Sequence, residues 1–352
     1  MNPLGAVLSL ALITGALLML PLVPALRELR TKSDAMPLSV IQQHAGEIRF
    51  FADGFRSYLK PIEPALRECI GSGGHSTGTM ADGSAYLVLG RGEEALYLPF
   101  RERNQFKPVM IASGGDLLLP SETHFSRDIY STGSVIGGTK NRYRAILAEK
   151  DVRLGAESSV MRWVHAVGEF GADPSCNLYG RVSSDKGIRL SRGCGFQRLN
   201  APYIAAGSET DATENGISST ASATTQRVFH DGDFEVQAGQ VFLSNLVVRG
   251  NLRIGTGAVI RGSVKSEREL ILESGVSVEG SLISSSRLEI GAGCKVHGPV
   301  IAERTALIKA GSCCGTLLHP TTVSAPNIEI DPGVIIFGTL WAREQGQVTT
   351  KI

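Results

Sequence analysis

The most regular feature of the chain is an apolar pattern that recurs every 18 residues between residues 234 and 318. Three successive copies read LRIGTGAVIRGSV from residue 252, LILESGVSVEGSL from residue 270 and LEIGAGCKVHGPV from residue 288. Within each copy apolar and polar residues alternate, which predicts short strands with one inward face. A fixed recurrence of this length predicts stacked copies of one unit. The pattern therefore predicts an all-β solenoid, a β-helix with 18-residue coils.

The repeated apolar positions define the interior that we expect for this solenoid. Counted from a turn residue, they lie five and three residues before it and three and seven residues after it. The turn residues of this run are Gly239, Gly257, Gly275, Gly293 and Gly311. Twelve positions form the predicted core ladder: Leu252, Ile254, Ile260, Val264, Leu270, Leu272, Val278, Leu282, Leu288, Ile290, Val296 and Val300. The same spacing assigns Leu318 to the column of Val300.

The pattern extends in both directions, with two interruptions. Upstream, turn positions at Glu157, Ser175 and Gly193 keep the same spacing, and Gly333 restores it downstream after a slip of four residues near Pro320. We count nine coils in this way, with one irregular coil before them. Between Gly193 and Gly239 the excess residues fall mainly in 207–228, which is polar and predicts a disordered insertion.

The N-terminus has the composition of a membrane anchor. The first 26 residues carry no charged side chain, and a run of about 20 apolar residues crosses a bilayer core. A cleaved signal peptide would need basic residues before this run, whereas Arg27, Arg30 and Lys32 follow it. Residues 4–26 are therefore predicted to form a single transmembrane helix in the inner (cytoplasmic) membrane, with the main domain in the cytoplasm.

The region between the anchor and the solenoid predicts a small α+β unit. Apolar residues at three- and four-residue steps from Leu38 to Leu59 predict an amphipathic helix that ends at Pro61. A hairpin is predicted from Tyr86–Leu89 and Ala95–Leu98. The expected organisation is an anchor over 1–32, this region over 33–110, the solenoid over 111–345 and a tail over 346–352.

Composition argues against several kinds of site. The net charge of +1 does not favour nucleic acid as a partner. The glycine-rich loop over 71–84 lacks the Gly-Lys-Ser/Thr ending of a phosphate-binding loop. Cys176, Cys194 and Cys294 share one column, where a small buried residue is the favoured interpretation and a metal site the alternative. We therefore predict no catalytic, cofactor-binding or metal-binding residues.

Two phrases of the repeat, Ile260–Val264 and Val278–Leu282, resemble the bactofilins, a family of bacterial polymer-forming cytoskeletal proteins. The resemblance is strongest over 234–318. It implies a right-handed β-helix that polymerises end to end without nucleotide, often near a membrane. By this resemblance the protein is expected to be a membrane-anchored scaffold, not an enzyme, that forms homopolymers and positions envelope-associated proteins.

The terminal coil suggests where such assembly would occur. Ile335 and Phe337 are apolar in columns that hold polar residues such as Ser277 and Glu279 in earlier coils. The end coil of a solenoid exposes backbone and apolar cross-section that must be covered. We therefore select Ile335, Phe337 and Trp341 as a candidate assembly interface. The alternative is that the C-terminal tail folds back over these residues.

Two enzyme classes remain as alternatives. Hexapeptide-repeat acyltransferases also have 18-residue coils, but left-handed, and they need a histidine base in a cleft. The candidates are His165, His230, His297 and His319, and none lies in a recognisable motif. Secreted β-helix enzymes that act on polysaccharides have longer coils and acidic clusters, which this sequence lacks.

Overall fold

The structure is a computed structural model that describes residues 14–15, 19, 49–93, 97–106, 109–207 and 226–350. The predicted transmembrane helix over 4–26 therefore lies almost wholly outside the described residues, as does most of the predicted insertion over 207–228. Among the residues that are described, no helix is long and apolar enough to cross a membrane. The chain divides after Glu47, and residues 48–352 form one compact unit.

Two helices precede the strands. Helix α1 spans Phe50–Leu59 and helix α2 spans Glu63–Ser72, with a 3-10 turn at Lys60–Ile62 between them. The predicted end of the amphipathic helix at Leu59, before Pro61, is confirmed. The chain nevertheless continues through the turn into α2, because a proline is tolerated at the first turn of a following helix. Helix α2 ends at Gly73, whose φ of 69° gives a left-handed C-cap. Residues 38–48 of the predicted helix lie outside the described part of the chain.

A β-hairpin follows, at a different place from the predicted one. Strand β1, His75–Thr79, pairs antiparallel with β2, Ala85–Leu89. The predicted pairing of Tyr86–Leu89 with Ala95–Leu98 is wrong, because β2 pairs with β1 and β5 on its two edges and Leu98 begins a 3-10 turn. Ala95 itself lies outside the described residues. A side chain at Gly90 would lie 1.8 Å from the carbonyl oxygen of Cys69, so the chain can pass helix α2 only with glycine at this position.

Strand β2 is also the first rung of a parallel stack, because it pairs with β5 on its other edge. The stack therefore begins before the predicted boundary at residue 111. Its first part, the N-terminal solenoid, contains β2 and the following strands: β3 Arg101–Glu102, β4 Gln105–Phe106, β5 Val109–Ser113, β6 Leu117–Leu119, β7 His124–Phe125, β8 Ile129–Ser131, β9 Val135–Gly137, β10 Arg142–Ala148, β11 Val152–Leu154, β12 Ser159–Ala166, β13 Glu169–Ala172, β14 Asn177–Ser184, β15 Gly187–Leu190 and β16 Gly195–Ala206. A short 3-10 turn lies at Leu98–Phe100.

The second part, the C-terminal solenoid, resumes at residue 227. Its strands are β17 Arg227–His230, β18 Phe234–Val236, β19 Val241–Phe242, β20 Asn245–Val248, β21 Leu252–Ile254, β22 Val259–Ile260, β23 Val264–Ser266, β24 Leu270–Leu272, β25 Ser277–Val278, β26 Leu282–Ser284, β27 Arg287–Ile290, β28 Lys295–Val296, β29 Val300–Ala302, β30 Thr305–Ile308, β31 Cys313–Cys314, β32 Thr321–Ile330 and β33 Ile335–Val348. Together the two parts make about twelve turns.

The prediction of an all-β solenoid is confirmed by the strand register. Leu252 lies beside Leu270, and Leu270 lies beside Leu288, so residues 18 apart stack in parallel strands. All twelve residues of the core ladder are at most 1% exposed. A single coil cannot bury its own apolar residues. Each coil is stabilised because the neighbouring coils cover these residues.

The turn positions adopt left-handed backbone in both solenoids. Gly257 and Gly275 have φ of 68° and 69°, and in the N-terminal solenoid Glu157 and Ser175 occupy the same corner with φ of 59° and 62°. This conformation is disfavoured for residues with a side chain. The corners at Glu157 and Ser175 are therefore strained where the glycine corners are not.

The slip near Pro320 is an outward loop. Cys313 pairs with Ile335, a step of 22 residues, and Val300 pairs with Val323 instead of Leu318. Leu318 is 85% exposed, so its assignment to the core column is wrong. The four additional residues leave the stack and the strand re-enters it in the same column, since a shift of one residue would turn every inward side chain outward.

We predict that truncation of one ladder residue destabilises the solenoid far more than truncation of an outward residue. Leu270→Ala should lower the free energy of unfolding by about 2–5 kcal/mol, because the buried site cannot collapse fully. Ile301→Ala, on the outer surface with the side chain 41% exposed, should lower it by less than about 1 kcal/mol. Urea unfolding followed by circular dichroism measures both, and equal losses would contradict the stacked interior.

A second prediction concerns the corner at Gly257. Open space surrounds this glycine, so a side chain there meets only the backbone penalty of its positive φ. Gly257→Ala should therefore destabilise the protein by about 1–2 kcal/mol. Gly257→Asn should destabilise it less, because asparagine tolerates the left-handed region. Thermal unfolding of the two variants tests this order, and a larger loss for asparagine would refute it.

Candidate functional site

The two solenoids meet end to end within the chain. Strand β16, at the last coil of the N-terminal solenoid, pairs antiparallel with β33, at the last coil of the C-terminal solenoid. Among the described residues, the other strand pairings are parallel except in the hairpins β1–β2 and β3–β4, so this junction joins two stacks that run in opposite directions. An antiparallel partner satisfies the backbone groups that a terminal strand otherwise leaves unpaired.

The junction has an approximate twofold symmetry in its register. Leu199 pairs with Leu340. Both lie in the column that otherwise follows the turn by seven residues, as the parallel pairings of Leu199 with Val182 and of Leu340 with Val323 show. Leu199 itself follows Gly193 by six residues, because the register between β14 and β16 shifts by one residue before it. The residue before Leu199 then faces the residue after Leu340. This twofold register places inward side chains of one solenoid opposite inward side chains of the other, so the two interiors join into one core.

Polar and aromatic side chains complete the junction on its outer surface. The guanidinium of Arg198 lies 5.0 Å from the ring centroid of Trp341, a cation–π contact. The side-chain amide of Asn200 donates a hydrogen bond to the hydroxyl of Thr339 at 2.7 Å. The junction is thus built as a specific interface.

The candidate assembly residues lie in this junction. Ile335 is half-buried and stands between Cys313 and Ala205. Phe337 is buried, and Trp341 is 40% exposed beneath Arg198. The structure therefore brings the three residues to one end-to-end contact, but their partner there is the other solenoid of the same chain.

A different end of the stack is uncovered. Strands β17, β18 and β19 pair on one edge with β20, β21 and β22, and no strand among the described residues pairs with the other edge. Val228, Phe234 and Phe242 occupy core columns here but are only partly buried. Outside them, Phe229 is 69% exposed and Val241 55% exposed. We call the coil over 227–242 the open end.

The opposite end of the stack is closed by the chain itself. Tyr97 and Phe106 lie over the first coil with ring centroids 5.7 Å apart, and both are at most 1% exposed. Below them, Phe106, Phe125 and Tyr143 stack with successive centroid distances of 5.1 Å. The interior is therefore filled at this end, in contrast to the partly exposed Phe234 and Phe242 at the open end.

Helix α1 covers part of the outer surface of the N-terminal solenoid. Phe55 and Leu59 of α1 pack with Val88 and Leu147, which point outward from β2 and β10 and are fully buried by the helix. Trp163 of β12 contacts Phe55 edge-on at 5.6 Å. The predicted amphipathic helix thus packs on its own domain along this described stretch.

Two ion pairs fix the direction of α1 along the solenoid. Arg56 donates from two nitrogens to the two carboxylate oxygens of Glu149, each at 2.8 Å. The partly buried pair raises the pKa of Arg56, chiefly through the hydrogen bond to Glu149. Two coils further on, Arg49 contacts Asp185 at 2.8 Å. The helix is held at both of these points by charge as well as by packing.

Beneath α1 lies a group with the residue types of a hydrolase triad. Nδ1 of His165 is 2.9 Å from the hydroxyl of Ser183, and Nε2 is 3.9 Å from Asp185. However, His165 is 1% exposed, and no space for a water molecule exists beside it. Burial lowers the pKa of His165, with Asp185 opposing the shift. We assign this group to the packing of α1, since no substrate can reach the hydroxyl.

The remaining predicted candidates do not converge. His230 lies at the open end, the half-buried His297 is on the outer surface and His319 is exposed in the loop after Gly315. Cys176, Cys194 and Cys294 are all buried free thiols, as expected for small interior residues. Within the described ranges, no group of three His, Cys, Asp or Glu side chains is placed to hold a metal ion.

Comparison of the chain with protein-family models, with curated proteins and with solved structures finds no match in any of the three. The class that the coordinates define is a β-solenoid made of two opposed stacks. Its candidate functional site is the open end. The sequence contains a signal for that end, since Phe234 and Phe242 are aromatic in columns that are otherwise mostly aliphatic and follow the long gap after Gly193.

We predict that acidification weakens the attachment of α1 through His165. Because the folded pKa is lowered, the unfolded chain takes up the proton first as the pH falls, so stability is full above the ordinary pKa of about 6.5 and decreases below it. His165→Asn should flatten the dependence of the thermal midpoint on pH between about 7 and 5. His319→Asn, on an exposed side chain, should leave the wild-type slope; identical slopes for all three proteins would refute the assignment.

Proposed function

We propose that the protein is a non-catalytic scaffold, similar to the bactofilins, that self-assembles through its solenoid at a membrane. The observation that carries the proposal is the open end, where backbone edges and apolar side chains such as Phe229 are exposed together. A coil end of this kind is a template for another strand, and soluble solenoids normally cap it.

The junction between β16 and β33 supports the same proposal. It shows by example that two ends of this solenoid can pair antiparallel with joined interiors. The chain therefore contains both the contact geometry that assembly requires and a second end that no described strand covers. The right-handed winding of the β-helix, which the family resemblance implies, is part of this proposal.

The cellular role follows from the predicted anchor. A transmembrane segment over 4–26 would hold the solenoid at the cytoplasmic face of the inner membrane. A rigid rod in that position offers a long outer surface on which envelope-associated proteins are positioned. Of this surface, the part that α1 leaves bare includes the exposed Ile301 and Leu318.

Sedimentation and electron microscopy of the purified full-length chain in detergent test self-assembly. We expect particles with a mass that is a multiple of one chain, and we expect removal of residues 1–32 to release the protein from the membrane fraction of cells. A strictly monomeric chain would refute self-assembly. A stable closed trimer would favour the hexapeptide-acyltransferase alternative instead.

A further inference from the structure

The open end has the residues needed to repeat the internal junction with a second copy of the chain. Val228 belongs to the column of Leu340, because each of the parallel pairings from β17 through β20, β23, β26, β29 and β32 to β33 preserves it. In the junction this column lies on the approximate twofold axis. The same operation at the open end places Val228 opposite Val228 of the second copy.

The neighbouring residues fit the same operation. In the junction, Arg198 precedes the axis residue of β16, and Trp341 follows the axis residue of β33, so the two face each other. At the open end the corresponding residues are Arg227 and Phe229, again a guanidinium and an aromatic ring. They already lie close within one chain, with 5.8 Å from the guanidinium carbon to the ring centroid. Two copies would therefore form two symmetric cation–π contacts.

The other two faces of the coil also match. In the junction, Ile204 pairs with Ile336, so the column five residues before one turn meets the column three residues after the other. At the open end these columns hold Phe234 and Phe242, which are the partly exposed aromatic residues of the end coil. Each would cover its counterpart in the second copy, and aromatic pairs of this kind contribute beyond their buried area.

We propose that the protein forms a closed dimer in which the open ends of two copies pair antiparallel about a twofold axis through Val228. This inference rests on the proposed self-assembly. It adds which surface makes the contact and how many copies assemble. Among the described residues the opposite end of the stack is closed by Tyr97 and Phe106, and the junction already uses the other two ends. One free end per chain makes an isologous contact, which stops at two copies.

A cysteine on the axis tests the geometry. In Val228→Cys, the Cα atoms of the two copies would lie about 4.5–5.5 Å apart, within the range for a disulfide. Mild oxidation of the full-length protein in detergent should give one covalent species of twice the chain mass. Ile301→Cys is the control: its position is well exposed, so random collisions would cross-link it as readily. Failure of Val228→Cys to cross-link, or equal cross-linking of both variants, would overturn the proposal.

A charge at the open end tests the energetics. Phe229→Lys should weaken the dimer by at least about tenfold, because it removes both aromatic partners of Arg227 and places a second cation beside each guanidinium. Leu318→Asp changes an apolar residue that is 85% exposed and lies away from the open end, and it should leave the dimer intact. Light scattering of the full-length proteins over a concentration series gives both masses.

The outcomes separate this inference from the proposed function. A dimer that resists Phe229→Lys, or particles larger than two chains, would refute the closed end-to-end dimer while self-assembly stands. A monomer at all concentrations would refute both, and would show that the open end is covered within the chain, with residues 208–225 as the adjacent segment. A dimer that is lost only in Phe229→Lys supports both.

Discussion

Each coil of the solenoid has an apolar cross-section above and below, and its interior is dry only where another coil lies on both sides. This requirement explains why the residues of each column are alike. It also explains why the ends of the stack need a cover that the repeat itself does not provide. In the middle, the neighbouring coil covers Leu270 with Leu252 on one side and Leu288 on the other. At an end the missing neighbour must be replaced by other parts of the molecule or by another molecule.

The chain replaces the missing neighbour in different ways at different ends. At the N-terminal end, aromatic side chains including Tyr97 fill the cross-section, and helix α2 packs beside the first rung. At the junction, the last coils of the two solenoids cover each other. This requires the two stacks to point toward each other, with opposite directions of chain progress along the stack. At the open end, Phe234 and Phe242 remain partly exposed. The physical problem is the same in all three places, and this common origin relates the internal junction to assembly between chains.

The outer surface obeys a weaker constraint. Outward positions are free to be polar, as at Lys265, unless an element lies over them. Val88 and Leu147 point outward and are nevertheless fully buried, because α1 and α2 pack there. His165 extends this covered strip, and its burial lowers its pKa. The strip shows how a helix docks on this solenoid, by apolar contact along the middle of a strand and by ion pairs at the corners, such as Arg56 with Glu149.

The sequence by itself determined the local unit and its repetition. Alternating residues and the spacing from Gly257 to Gly275 specify a strand, a corner and the residue that stacks above, because these depend only on neighbours one coil away. The sequence also showed the four additional residues near Pro320. It did not show that Val323 replaces Leu318 as the inward residue, because this depends on where the strand re-enters the stack. What only the tertiary structure decided is which ends meet. The pairing of β16 with β33 joins residues about 140 positions apart and leaves no periodic signal, since an antiparallel contact between two similar columns looks in sequence like two independent coils.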